Sequence, residues 1–174
     1  KSDVVMRTHT SPVQVRYMQS HKAPIRMICP GKVFRNEATD ATHEAQFFQL
    51  EGLMIDENIS LGHMKGLLEY FFTNFFGGEV EVRFRPSFFP FVEPGVEVDM
   101  RIAPDPQNKL SGKWIEIMGA GMVHPNVLRA GGIDPDKYQG FAFGMGMDRL
   151  AVLKYGIDDI RLMYNGDLRF VNQF

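Results

Sequence analysis

Two strand-like segments separated by a polar stretch constrain the fold of this sequence more than any other feature. Residues 25–37 and 46–55 are rich in branched and aromatic side chains, whereas residues 38–45 between them read Ala-Thr-Asp-Ala-Thr-His-Glu-Ala. Apolar runs that flank a polar stretch in this way are typical of two antiparallel strands joined by a loop. We therefore predict an antiparallel pair around a long connection.

One face of this strand pair is predicted to be polar. Side chains two apart lie on the same face of a strand, so Arg35 and Glu37 should point the same way, as should Phe47, Gln49 and Glu51. A solvated face with surface ion pairs is the ordinary interpretation of such a cluster. An aromatic ring among the polar groups, and Gly52 directly after Glu51, favour a binding face instead, because glycine in a strand often marks a close approach.

The remaining pattern predicts an α+β fold, an antiparallel β-sheet flanked by helices, in one domain over residues 1–174. Ser11 and Pro12 are typical of an N-cap and a first helical position. Helices are predicted over residues 12–19, 60–76 and 148–155, and further strands over residues 80–85, 96–102, 113–118 and 141–145. Residues 105–108, Asp-Pro-Gln-Asn, predict a turn.

A glycine-rich run carries the second candidate site. Gly140, Gly144 and Gly146 interrupt an apolar strand, and Arg149 follows in the first turn of the next helix. The glycines would leave room for a flat ligand, although tight strand–helix packing explains them equally well. Arginine is slightly disfavoured at a helix N-terminus by the helix dipole. Its presence there therefore points to an anionic partner.

Composition excludes several classes of protein. The net charge is −2, so a domain that binds nucleic acid mainly by its own charge is not indicated. The single cysteine, Cys29, excludes an intrachain disulfide framework and suits a reducing cytoplasm. No apolar run reaches the length of a membrane span, about 18 residues. The five histidines show no metal-ligand spacing of a hydrolase.

Both candidate sites match motifs of one family. Phe34-Arg35-Asn36-Glu37, the polar loop and Phe48-Gln49-Leu50-Glu51-Gly52 resemble motif 2 of the class II aminoacyl-tRNA synthetases, and residues 144–150, Gly-Met-Gly-Met-Asp-Arg-Leu, resemble motif 3. Residues 7–14, 85–91, 114–117, 119–125 and 166–170 are similar to the α-subunits of the bacterial phenylalanine-specific branch. The family's motif 1 and N-terminal coiled-coil arm have no counterpart, so we expect a C-terminal part of a longer polypeptide.

The resemblance implies a ligase that joins phenylalanine to ATP as phenylalanyl adenylate and transfers it to tRNA(Phe). It also implies Mg²⁺ with the ATP, a β-subunit in an α₂β₂ heterotetramer, and a cytoplasmic location. An apolar pocket rejects an added hydroxyl by only roughly a hundredfold. An editing site against tyrosine is therefore expected, and in this family it lies on the β-subunit.

Roles for individual residues follow from the motif positions. Arg35 would bridge the α-phosphate and the substrate carboxylate, and Arg149 would hold the γ-phosphate. The resemblance assigns the adenine and the β,γ-phosphates to Glu37 and His43, purine stacking to Phe47, and the metal or the ribose to Glu116. It assigns the substrate ammonium to His9, Ser11, Gln49 and Glu51, and the phenyl ring to Phe89, Phe91, Val92, Ala142 and Gly144.

Other interpretations stay open at this point. Phe89 and Phe91 should share a strand face and pack edge-to-face on a phenyl ring, but any one of the fifteen phenylalanines could simply be core. His43 could be an ordinary loop histidine, and His9 a capping or core histidine. A related ATP-dependent ligase for another carboxylic acid, or an inactive paralogue that serves as a binding module, would carry much of the same pattern.

Overall fold

Six antiparallel strands form one sheet in the computed structural model, which describes residues 3–105 and 111–174. The strands are β1 Ile25–Phe34, β2 Gln46–Asp56, β3 Val80–Phe89, β4 Val92–Ile102, β5 Ile115–Val123 and β6 Gln139–Gly146. Their order across the sheet is β1-β2-β6-β5-β4-β3, with every neighbouring pair antiparallel. The last strand in sequence thus lies between β2 and β5, which brings the two glycine- and arginine-bearing segments side by side.

Helices lie on both faces of the sheet. They are α1 Pro12–Ser20, α2 Leu61–Phe76, α3 Pro125–Ala130, α4 Met147–Tyr155 and α5 Leu168–Val171, together with a 3₁₀ helix, Ile160–Met163. The α+β prediction is confirmed. No helix in the described ranges has both the length and the apolar character to cross a bilayer.

Helix α2 covers one face. It begins at Ser60, whose side chain and backbone form a capping box with His63, and ends at Gly77 in the left-handed region at φ 72°. Met64, Leu68 and Phe72 are fully buried on its inner side. This spacing places them in one stripe against the apolar side chains of β4, β5 and β6, as the sequence predicts.

Helices α1 and α3 cover only part of the opposite face. Met18 of α1 and Leu128 of α3 pack with Ile55, Val123 and Ala142 of the sheet in a second, smaller core. The rest of that face remains open between α1 and the N-terminus of α4. A cavity therefore forms over the central strands.

Two local predictions are wrong, and a third is confirmed in position only. The first strand ends at Phe34, because the last cross-strand bond runs from the Arg35 N–H to the Ala45 carbonyl, and Glu37 belongs to the loop. Ser11 is the N-cap of α1 and Pro12 its first residue, as predicted, but the Ser11 hydroxyl bonds to a side chain of β2 instead of capping the helix. Phe89 and Phe91 do not share a strand face, since Phe89 ends β3 and Phe91 lies in the turn before β4.

The boundaries of other elements also differ from the sequence prediction. Strands β3, β4, β5 and β6 are each longer than predicted, and α3, α5 and the 3₁₀ helix were not predicted at all. The turn predicted at residues 105–108 falls largely on residues 106–108, which lie outside the described residues.

Candidate active site

A cavity of about 550 Å³ opens over β2, β6 and β5, on the sheet face that α1 and α3 cover only in part. Every residue to which the family resemblance assigns a role lines it: His9, Ser11, Arg35, Glu37, His43, Phe47, Gln49, Glu51, Phe89, Phe91, Val92, Glu116, Ala142, Gly144 and Arg149. These residues come from segments more than a hundred positions apart. The central position of β6 in the sheet is what brings them to one place.

Glu51 forms the buried polar end of the cavity. Only 3% of the residue is exposed. Its Oε1 accepts the Ser11 hydroxyl and the Gln49 amide, each at 2.7 Å, and its Oε2 accepts the Gln14 amide at 2.5 Å. Burial raises the pKa of Glu51, against the opposing effects of the hydrogen bonds from Ser11 and Gln14 and the charge of Arg35.

Gln49 leaves an acceptor unused beside this carboxylate. Its amide N–H donates to Glu51, whereas its Oε1 is buried and has no hydrogen-bond partner. A buried carbonyl without a donor is rare. Together with the Glu51 carboxylate it makes a position suited to a ligand that donates hydrogen bonds and carries positive charge.

Gln14 was missed from the sequence. It lies one helical turn after Ser11, so both side chains project from the same side of α1 toward Glu51. The spacing of Ser11 and Gln14 was the signal available in the sequence. It identifies Gln14 as a site residue only if the strand that faces α1 is known, and the sequence does not state which strand that is.

The glycines of β6 have two different roles. A Cβ at Gly144 would lie 2.8 Å from Gln49 Nε2 and 2.9 Å from Glu51 Oε1, so this glycine makes room for the polar pair. A Cβ at Gly140 would lie 2.6 Å from the Met54 carbonyl oxygen, and Gly140 does not line the cavity. Gly140 is therefore explained by close packing between strands β6 and β2 rather than by the strand–helix packing considered from the sequence, whereas Gly144 lies on the open face that lines the cavity.

The two arginines of the motifs line the same cavity. The Arg35 guanidinium lies 4.9 Å from the centroid of the Phe47 ring. Arg149 Nη1 donates to the Glu116 carbonyl at 2.9 Å, which holds its side chain against β5. The two guanidinium groups, exposed at Arg35 and half-buried at Arg149, line one cavity and suit an anion.

Asp148 fixes the start of α4 next to Arg149. Its buried carboxylate accepts the Phe48 backbone N–H at 2.7 Å and a short hydrogen bond from the Tyr164 hydroxyl. Burial, and then the hydrogen bond to Asp148, raises the pKa of Tyr164. Neither role was predicted, because the partners of Asp148 lie 100 and 16 residues away.

His43 lies in a loop that the C-terminal region supports. Asp40 accepts the backbone N–H groups of Thr42 and His43, and these bonds together with the Thr42 hydroxyl lower the pKa of Asp40. The Ile160 N–H donates to the Ala41 carbonyl at 3.0 Å. The loop is thereby tied to the 3₁₀ helix.

Glu116 stands at the outer edge of the cavity, with 54% of its side chain exposed. Arg85 Nη2 lies 3.5 Å from it, and the same guanidinium is held in a fork by the buried Asp99 at 2.7 and 2.9 Å. The described residues contain no group of three side chains that could hold a metal ion by themselves. A single carboxylate still fits Mg²⁺ that arrives with a nucleotide, because that ion is commonly held by one or two carboxylates plus phosphate oxygens.

The apolar end lies over the β3–β4 turn. Phe89 and Val92 flank the turn, Phe91 is 41% exposed within it, and the His9 ring centroid lies 6.0 Å from that of Phe91. His9 Nδ1 is buried without a partner. Small residues of β5 and β6 form the floor below: Gly119, Gly121, Ala142 and Gly144.

Comparisons with family models and with curated proteins point to the same family. The family described as tRNA synthetases class II core domain (F) matches residues 1–174. The chain is 56% identical over 183 residues to the phenylalanine–tRNA ligase alpha subunit of Macrococcus caseolyticus and 56% identical over 178 residues to that of Bacillus subtilis. In Aliivibrio fischeri the figure is 55% over 172 residues. These alignments cover 99% of this chain but 50–52% of the relatives, so the chain spans about half their length.

Proposed function

We propose a function for this chain from the premise that it belongs to the family of class II tRNA synthetase core domains. The chain is the catalytic domain, over residues 1–174, of a ligase that activates L-phenylalanine with ATP and transfers it to tRNA(Phe). Its relatives bear the name phenylalanine–tRNA ligase alpha subunit, and the cavity supports the same chemistry.

One observation carries the proposal: a single cavity has a cation-accepting end, an anion-binding end and an apolar end. Glu51 and the unpartnered Gln49 carbonyl suit an ammonium group, and Arg35 and Arg149 suit phosphate and carboxylate. Phe89 at the third end suits a phenyl ring. An aromatic amino acid beside a nucleoside triphosphate presents an ammonium group, anionic oxygens and an apolar ring, which suit these three ends.

The first step needs positioning and charge neutralisation rather than a covalent enzyme intermediate. A carboxylate oxygen of phenylalanine attacks the α-phosphorus of ATP, the bond from that phosphorus to the bridging oxygen breaks, and pyrophosphate leaves with the electron pair. Arg35 bridges the attacking carboxylate and the α-phosphate, and Arg149 holds the γ-phosphate. Holding both anions in line converts an encounter into an effectively unimolecular step.

The second step transfers the acyl group. A ribose hydroxyl at the terminal adenosine of tRNA(Phe) attacks the activated carbonyl, and AMP leaves with the electron pair of the broken anhydride bond. The ammonium group stays bound by Glu51 and Gln49, assisted by Ser11 and His9. The amino acid therefore remains in place while its carboxyl partner changes.

The nucleotide base lies against Phe47, with Glu37 and His43 beside the adenine and the β,γ-phosphates. Phe47 lines the cavity, and its ring centroid lies 4.9 Å from the Arg35 guanidinium. The Asp40 turn and the 3₁₀ helix hold the loop that carries His43. This support favours a preformed nucleotide site.

Mg²⁺ is the proposed cofactor, with Glu116 as its protein ligand or as a partner of the ribose. Bound there, the ion would screen the charge of the polyphosphate. Arg85 holds the Glu116 side chain from behind, and Asp99 orients Arg85.

The partners proposed are ATP, L-phenylalanine, tRNA(Phe) and a β-subunit in an α₂β₂ heterotetramer, in the cytoplasm. The name alpha subunit of the relatives supports a second kind of subunit. An apolar slot separates tyrosine from phenylalanine only weakly, so the proposal includes removal of mischarged tyrosine elsewhere in the assembly.

The test is amino-acid-dependent exchange of pyrophosphate into ATP, with the protein alone and with its co-expressed partner subunit. Exchange that requires phenylalanine and is lost in Arg35→Ala supports the proposal. Exchange driven by a different carboxylic acid would assign the chain to another ligase. Nucleotide binding without exchange under either condition would make it a binding module.

A further inference from the structure

The Phe89 ring lies directly over a glycine of β5. In the sheet, Gly119 is paired with Glu97 on one side and Gly144 on the other, and the next position on the same face, Gly121, is paired with Gly95 and Ala142. The row Gly95, Gly121 and Ala142 thus forms a floor without long side chains from β4 to β6. Beside Gly119 this floor runs only from β5 to β6, because Glu97 occupies the β4 position. Phe89 reaches over this floor from the end of β3.

Gly119 differs from the other glycines of the floor in what surrounds it. A Cβ at Gly119 would lie 2.8 Å from Cζ of Phe89 and 3.2 Å from each of its Cε atoms, and all three nearest atoms belong to that ring. A Cβ at Gly121 would instead lie 2.5 Å from the Pro94 carbonyl oxygen, and one at Gly95 would lie 2.7 Å from the Ser87 carbonyl oxygen.

These distances separate two reasons for glycine. Gly95 and Gly121 lie where neighbouring backbone comes close, so a side chain there would disturb the sheet. At Gly119, by contrast, the backbone does not require glycine, since its φ is not positive. Only the Phe89 ring requires the missing side chain at this position.

We propose that Gly119 is a specificity-determining position, because the space it leaves seats the Phe89 ring and thereby sets the width of the apolar slot. A methyl group at residue 119 moves the ring toward the cavity by several tenths of an ångström or turns it. The slot then becomes too narrow for a phenyl ring but still admits a slimmer side chain. This inference rests on the proposed function, in which the slot binds phenylalanine.

The first test is Gly119→Ala in the complete protein with its partner subunit, assayed by amino-acid-dependent pyrophosphate exchange. The KM for phenylalanine should rise by about tenfold or more, the cost expected for a misfit of one methyl group. The KM for ATP should stay within about twofold, because the three atoms nearest the added methyl belong to Phe89 and not to a residue assigned to the nucleotide. The kcat/KM for methionine and for leucine, each divided by that for phenylalanine, should increase. Gly66→Ala is the matched control, since a Cβ there has nothing within 4 Å.

A double-mutant cycle with Phe89→Leu separates an effect through the ring from a direct one. In the Phe89→Leu background, adding Gly119→Ala should change the KM for phenylalanine by less than about threefold, because the clashing ring is gone. Equal losses in both backgrounds would overturn the inference. So would an unchanged KM for phenylalanine in a folded Gly119→Ala protein.

Folding and function are controlled separately. If Gly119→Ala does not fold, recovery of the parental melting temperature by Phe89→Leu supports the coupling between methyl and ring, and failure to recover refutes it. If the unaltered protein shows no phenylalanine-dependent exchange, the proposed function fails and the inference with it. If the parent is active and Gly119→Ala has an unchanged KM for phenylalanine, the inference about Gly119 is wrong and the proposed function stands.

Discussion

The carboxylate of Asp148 accepts the backbone N–H of Phe48 at 2.7 Å and so bonds the start of α4 to β2. Its other oxygen accepts the hydroxyl of Tyr164, which follows the 3₁₀ helix. Arg149 is the next residue along α4, and its guanidinium donates to the carbonyl of Glu116 on β5. The arginine proposed to hold the γ-phosphate is therefore oriented by three separate parts of the fold before any ligand arrives.

Asp148→Asn should lower both stability and nucleotide affinity. Asparagine carries no charge and has one acceptor oxygen, so the Phe48 N–H and the Tyr164 hydroxyl can no longer both donate to a carboxylate, at a cost of about 1–3 kcal/mol in the free energy of unfolding. We expect a lower Tm and a higher KM for ATP, with the KM for phenylalanine nearly unchanged. Thermal denaturation and pyrophosphate exchange measure the two effects.

Tyr164→Phe is the matched control for Asp148→Asn, since it removes only the hydroxyl bond. It should cost less stability than Asp148→Asn and leave the Phe48 contact intact. A Tm for Asp148→Asn equal to that of the parent would contradict the role given to this carboxylate.

Arg35→Ala should nearly abolish adenylate formation without affecting the fold. The side chain is exposed and contacts the Phe47 ring rather than the core, so the Tm should stay close to that of the parent. Loss of a group that stabilises developing charge reduces kcat by about a hundredfold or more. Arg26→Ala, which removes an exposed arginine of β1 that pairs with Asp56 of β2, is the control and should retain activity. Near-normal pyrophosphate exchange in Arg35→Ala would remove this residue from the site.

The elements with strong periodicity were predictable. The apolar spacing of α2, with Ser60 before it and Gly77 after it, marks a helix whatever the rest of the chain does. The pair β1 and β2 follows from two apolar runs around a polar stretch. By contrast, α3 and the 3₁₀ helix are too short to show a helical repeat, and the extended ends of β3 and β5 depend on neighbours in the sheet.

The residues of the candidate site that belong to a family motif were predictable. Residues whose roles depend on partners distant in the sequence were not. The hydroxyl of Ser11 can cap a helix or reach a tertiary acceptor, and Glu51, 40 residues away, decides the outcome. Likewise, the importance of Gln14, Tyr164 and Gly119 depends on partners that only the folded sheet brings near.

Ala142→Gly should lengthen the apolar slot and admit para-substituted phenylalanines. Ala142 lies on the floor of the cavity, paired with Leu53 on β2 and Gly121 on β5, and is 8% exposed. Removing its methyl opens space without disturbing a polar partner. Relative kcat/KM for para-chlorophenylalanine over phenylalanine should rise by about tenfold or more. An unchanged ratio would count against the placement of the phenyl ring, and unsubstituted phenylalanine serves as the internal control for folding and chemistry.

Glu51→Gln should make the stability of the protein less sensitive to rising pH while weakening phenylalanine binding. Burial raises the pKa of Glu51 above the ordinary 4.5, so the folded state favours the protonated carboxyl. That favourable contribution is fully present below the ordinary pKa and is lost as the pH rises through the raised value, because the buried charge must then be carried. Glutamine stays neutral at every pH.

The Tm of Glu51→Gln relative to that of the parent should therefore increase as the pH rises above 4.5, whatever fixed cost the lost acceptor oxygen adds, and the difference should level off once Glu51 is fully ionised. Differential scanning fluorimetry between acidic and mildly alkaline pH measures it, with Glu69→Gln, an exposed carboxylate on α2, as the control that should show no such trend. Without the negative charge, the Kd for phenylalanine should rise by about tenfold or more, since a buried ammonium loses its counter-charge. A Tm difference that shrinks with rising pH would contradict the effect of burial on Glu51, and unchanged phenylalanine affinity would show that the ammonium binds elsewhere.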